Sequence, residues 1–213
     1  IRAIQMISLS ALVNVSYPIN LFIFLQVCII FANMDILKSE DFYADNLEFK
    51  ATDAINESFL DPKEIDLVLL ASTTPDMPVA ATAAYVATEI GATNAFAYDL
   101  QAACSSFLYG MSVASSYIMS RRYSKILLIG ADKMSSIIDY SDRTTCIIFG
   151  DGAGAVLFEP NEEGLGFMDE YFRSDGIGRE HLYIKAGGSM LPASAETVSN
   201  GQHVLRQDGK TVF

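Results

Sequence analysis

"AFAYDLQAACSSFLYGMSVASSYI", residues 95–118, changes rhythm in its middle. The opening run, "AFAYDL" (95–100), is apolar and of strand length. After it, Phe107, Leu108, Met111, Ala114 and Ile118 recur at helical spacing. Cys104 falls at the joint, between Ala102–Ala103 and Ser105–Ser106. A thiol at a helix N-terminus meets the positive end of the helix dipole and unpaired N–H groups, which favour the thiolate. Small neighbours let a substrate approach, and a peptide N–H at such a turn can donate to a developing oxyanion. A free cysteine is also commonly a buried hydrophobe. Locally, both readings stand.

Working outward, "IDLVLLAST" (65–73) is a continuous apolar run, the pattern of a strand covered on both faces. Leu47, Ala51, Ala54, Ile55, Ser58 and Phe59 predict a helix before it, stopped by the Asp-Pro at 61–62. Val79, Ala83, Val86, Ala87 and Ile90 predict another, closed by Gly91. "KILLIGAD" (125–132) reads as a third strand. The order α-β-α-β-α-β with short connections predicts an α/β domain. In "TCIIFGDGAGAVLFEP" (145–160), two apolar runs flank a glycine-rich stretch, which reads as adjacent strands joined by a turn. From Asn161 onward the composition reads as loops.

The chain has 213 residues, 51% of them hydrophobic, enough to bury a sizeable core in one large domain or two small ones. A net charge of −12 with only 14 Lys and Arg excludes a general nucleic-acid binder. Three cysteines, Cys28, Cys104 and Cys146, without CxxC spacing suggest neither a disulfide framework nor a zinc site, and a reducing cytoplasmic setting is expected. Cys146, inside an apolar run, reads as core. "GDGAGA" (150–155) matches neither phosphate-loop spacing and reads as structural. Arg143, in "DYSDRTTC", could bind a phosphate or pair with Asp139 or Asp142. His181 and His203 read as loop residues with no metal-ligand spacing.

Residues 1–44 differ from the rest. Between Ala3 and Met34 no residue is charged, and "INLFIFLQVCIIFA" (19–32) is the densest part. It is shorter than the roughly 20 apolar residues of a membrane span, and Asn20 and Gln26 interrupt it. A core segment, or a stretch foreign to the domain, is the expectation; membrane association is not.

The stretches quoted, with "DRTTCIIFGDGAGAVLFEP" and "LYIKAGGS", resemble β-ketoacyl-acyl carrier protein synthase III over residues 45–213. The resemblance implies a thiolase-like, layered α-β-α-β-α fold of two similar halves, of which this chain holds the N-terminal one with the nucleophilic cysteine. It implies an acyltransferase that joins acetyl-CoA, or another short acyl-CoA, to malonyl-acyl carrier protein through an acyl-cysteine. No metal or cofactor is implied, and the family is usually homodimeric. Cys104 matches the nucleophile. Arg143 matches an arginine holding the CoA end, and Met77 a loop residue reaching the partner's acyl pocket. Ile148 and Phe149 match residues near that pocket.

Departures accompany the match. The family's histidine and asparagine have no counterpart before Phe213, and His181 and His203 do not match that histidine. There is no Trp for the CoA entrance, and Ser106 stands where glycine is common. An inactive fragment or binding subunit is therefore the alternative. A cysteine hydrolase would need a histidine beside the thiol.

Overall fold

The computed structural model describes residues 60–161, 166–167 and 169–212. The predicted helix over 47–59, the apolar stretch 19–32 and the boundary near residue 45 lie outside them. Among the described residues, no helix is long and apolar enough to cross a membrane. The chain divides into two compact units. One holds the described residues up to Asp132 together with those from Asp151 to Glu170; the other holds Lys133–Gly150 and those from Tyr171 onward.

In the first unit, strand β1 (Leu67–Ala71) is buried at every position. It lies between β2 (Phe96–Leu100) and β3 (Ile126–Asp132), parallel to both, and β4 (Gly152–Phe158) runs antiparallel along β3. Alternate side chains point to opposite faces. Val68, Leu70, Leu127 and Ile129 pack with Ala83, Val86 and Ile90, three residues of the segment carrying helix α1 (Thr82–Glu89). Leu67, Leu69, Ile126, Leu128 and Phe158 form the other core with Ala114 and Ile118 of helix α2 (Ser106–Met119). The unbroken apolar text of β1 and β3 thus has helices on both sides. Each such Leu or Ile contributes about 1.5–3 kcal/mol through burial.

Two glycines set how closely α2 approaches the sheet. A Cβ on Gly110 would lie 2.5 Å from Leu128 Cδ1, and one on Gly130 would lie 2.7 Å from Phe107 Cδ2. Helix α1 begins at Thr82, later than the Val79 that its apolar stripe predicted. Val79 is fully exposed with φ +79°, a left-handed conformation closed to a helix. The start is fixed from outside the helix: the Asp99 carboxylate accepts the N–H groups of Thr82 and Ala83 at 2.9 and 2.8 Å.

The glycine-rich stretch corrects the sequence reading. "GAGA" is not a turn between strands but the beginning of β4, with Gly154 opposite Gly130. The apolar run before it, Cys146–Phe149, is not a strand. The Asp142 carboxylate accepts the N–H and hydroxyl of Thr144 at 2.9 and 2.6 Å. Cys146 N–H bonds Asp142 O, and both Ile148 and Phe149 N–H bond Thr145 O. These local turns spend the backbone groups a ladder would need, overriding β-propensity. Cys146 is consequently half-buried, not core.

The second unit contains an antiparallel pair, β5 (Leu182–Ile184) with β6 (Leu205–Gln207), where the sequence suggested only loops. Between them lies the short helix α3 (Ala195–Ser199), capped reciprocally by Ser194 and Thr197; α4 (Gly209–Val212) follows β6. Strands of three residues are too short to show a period.

Candidate active site

Parallel strands β1, β2 and β3 end together: Ala71 is paired with Leu100 on one side and Gly130 on the other. In open α/β sheets, ligands bind outside such carboxyl ends. Three features gather there. The loop after β1 starts at Ser72, the Cys104 turn follows β2, and Asp132 ends β3.

Cys104 is exposed and stands two residues before α2. Ala103, immediately ahead of it, has φ +50°. A non-glycine residue in that region is strained by about 1 kcal/mol or more. Backbone and side chain of Ser106 hold the turn. Its N–H bonds Ala103 O at 3.0 Å, and the N–H of Ser105 bonds Ala102 O at 3.2 Å. The buried Ser106 hydroxyl accepts the Ala102 N–H and donates to Ala103 O, each at 2.6 Å. Cys104 thereby stands exposed on a closed turn.

Asp132 organises the adjacent loop. Its carboxylate accepts from Thr73 N–H at 2.7 Å, Thr74 Oγ1 at 3.3 Å and Ser72 Oγ at 3.4 Å. Burial raises its pKa above the ordinary carboxylate value, and these hydrogen bonds offset part of that rise. Sequence reading missed Asp99 and Asp132. The only signal was an acidic residue at the end of each apolar strand, where the bare pattern would have allowed any loop residue. Met77, farther along the same loop, is 58% exposed.

Arg143, Ile148 and Phe149 belong to the second unit. Arg143 is exposed and forms no ion pair among the described residues. Its expected partners are engaged elsewhere: Arg206 lies 3.6 Å from Asp139 and 3.8 Å from Asp142. Hydrogen bonds from Ser141 and Thr144 hold those carboxyls below the usual range, with Arg206 adding to the effect. Arg143 thus projects from a loop whose acidic flanks are already satisfied. Ile148 is half-exposed and Phe149 half-buried. His203 Nε2 is 2.9 Å from Thr197 Oγ1, and His181 Nδ1 is 3.6 Å from Asp208. No metal-ligand cluster occurs among the described residues.

Residues 98–176, which include the Cys104 turn, match the model of the 3-oxoacyl-(acyl carrier protein) synthase III family. Over that stretch the chain is similar to the synthase III family. It is 54% identical over 152 residues to β-ketoacyl-(acyl carrier protein) synthase III 2 of Bacteroides thetaiotaomicron, covering 71% of this chain and 45% of that protein. It is 46% identical over 179 residues to the synthase III of Porphyromonas gingivalis, covering 84% and 53%. Among solved structures, the synthase III of Pseudomonas aeruginosa aligns at 35% identity with a TM-score of 0.68, covering 80% of this chain and 51% of that one. The Thermus thermophilus enzyme aligns at 34% and 0.68, covering 82% and 53%. The chain therefore spans about half the length of the synthase III proteins it matches. The fold is thiolase-like, as the resemblance implied.

Proposed function

We propose that this chain is the nucleophile-bearing half of a β-ketoacyl-acyl carrier protein synthase III, which begins fatty-acid synthesis. One observation carries the reading: Cys104 is exposed on a pinned turn at the carboxyl edge of a parallel sheet, within the stretch that matches the family.

In the first step, the Cys104 sulfur attacks the thioester carbonyl of acetyl-CoA or another short acyl-CoA. A carbon–sulfur bond forms, the bond to CoA breaks, and CoA leaves as a thiol carrying the proton that Cys104 gave up. Malonyl-acyl carrier protein then loses carbon dioxide. The resulting carbanion attacks the acyl carbon, the bond from that carbon to the Cys104 sulfur breaks as the β-ketoacyl product departs, and the thiolate takes a proton from water. The thioester supplies its own leaving group, so the reaction calls for no metal or redox cofactor. A peptide N–H of the Cys104 turn is suited to receive the oxyanion.

Arg143 is assigned to the phosphate end of CoA, where a guanidinium forms paired, charge-assisted hydrogen bonds. Ile148 and Phe149 are assigned to the acyl pocket. Met77 is assigned to the pocket of a second copy, in a cytoplasmic homodimer. Engagement of His203 by Thr197 and of His181 by Asp208 argues for structural roles for both.

The test uses the protein as its gene encodes it. Radiolabelled acetyl-CoA should transfer label to Cys104, and malonyl-acyl carrier protein should then discharge it as a β-ketoacyl product. Folded protein that takes no label would remove the assignment. Arg143→Met should raise KM for acetyl-CoA roughly tenfold, with kcat little changed. An unchanged KM would detach Arg143 from the CoA site.

A further inference from the structure

Ser106 is only 3% exposed, yet its hydroxyl makes two short hydrogen bonds, both to the peptide groups just ahead of Cys104. We infer that Ser106 is a positioning residue for the nucleophile: its hydroxyl clamps Ala102 and Ala103 and so holds the left-handed turn that presents Cys104. The inference rests on the assignment of Cys104 as nucleophile for its functional meaning, and on the geometry of the turn alone for its structural one.

Three observations converge on this clamp. Ala103 has φ +50°, a conformation that alanine abandons unless its surroundings hold it there. The Ser106 hydroxyl is saturated on the turn, taking the Ala102 N–H and giving its own proton to Ala103 O. The same carbonyl also accepts the Ser106 N–H at 3.0 Å, so two donors from one residue converge on the strained peptide. Removing the hydroxyl would leave the Ala102 N–H without its partner. A hydroxyl at this position does the work that a more permissive backbone could do elsewhere in the turn, and this predicts a specific rescue. Ala103 is exposed, so exchanging it for glycine alters the backbone preference and no buried contact.

The experiment is a double-mutant cycle of Ser106→Ala with Ala103→Gly in the protein as its gene encodes it. The readouts are the alkylation rate of Cys104 by iodoacetamide and the rate and KM of its acylation by acetyl-CoA. Ser106→Ala should slow alkylation roughly tenfold and lower the acylation rate with little change in KM. Adding Ala103→Gly should restore most of the lost rate, whereas a residue that merely fills space would not be rescued by a change at an exposed neighbour. Alkylation within about twofold of the parent for Ser106→Ala would overturn the inference, as would a loss that Ala103→Gly leaves uncorrected. If Ser106→Ala fails to fold, recovery of folding in the double variant supports the clamp and continued failure overturns it. Alkylation that follows this pattern in a protein that never accepts acetyl would uphold the clamp and sink the synthase reading instead.

Discussion

Protonation of Asp132 is coupled to folding. Its carboxyl is half-buried at the end of β3, and desolvation raises its pKa above the ordinary 3.8 despite three donors. In the window from 3.8 up to that raised value, the folded chain holds this proton while the unfolded chain has lost it. The folded state binds more protons there, so this group's contribution to stability is complete below 3.8 and declines as pH rises to the folded value. Asp132→Asn should therefore flatten that part of the stability profile in urea titrations at successive pH values. An unchanged slope would contradict the assignment. Asp99 acts through geometry: it satisfies the first two N–H groups of α1, and Asp99→Ala should cost about 1–2 kcal/mol in the same titration. A cost near zero would mean that water replaces the carboxylate.

Between residue and domain, α2 packs closely on β3 and carries the Cys104 turn at its N-terminal end. Gly130 lies under the Phe107 ring, one residue beyond the Ser106 clamp. Gly130→Ala should push that ring aside, destabilise the fold by about 1–3 kcal/mol and slow Cys104 alkylation. Retained stability with unaltered reactivity would show that the helix adjusts freely. At this scale, the strands that are apolar throughout and the helices with long stripes were legible, because burial on two faces and a 3.6-residue period both leave marks in sequence. Cys104 was legible as a joint between the two patterns. Three features were not. The run Cys146–Phe149 has strand composition, but Asp142 and its turn bonds claim its backbone. The start of α1 depends on Asp99, distant in sequence, and the left-handed Val79 leaves no mark in the apolar stripe. The pair β5–β6 is too short to announce itself.

For the molecule as a whole, the proposed synthase reading makes a demand on assembly. It requires a second copy for Met77. Sedimentation equilibrium of the gene-encoded protein should give a dimer, and a monomer at assay concentration would retire the role given to Met77. The most direct measurement concerns one sulfur atom. After incubation with acetyl-CoA, mass spectrometry should find a single acetyl group on the peptide carrying Cys104, matched by an equal amount of released CoA and absent from Cys104→Ser. Folded protein with Cys104 unmodified, or with the acetyl group on Cys146, would contradict the account.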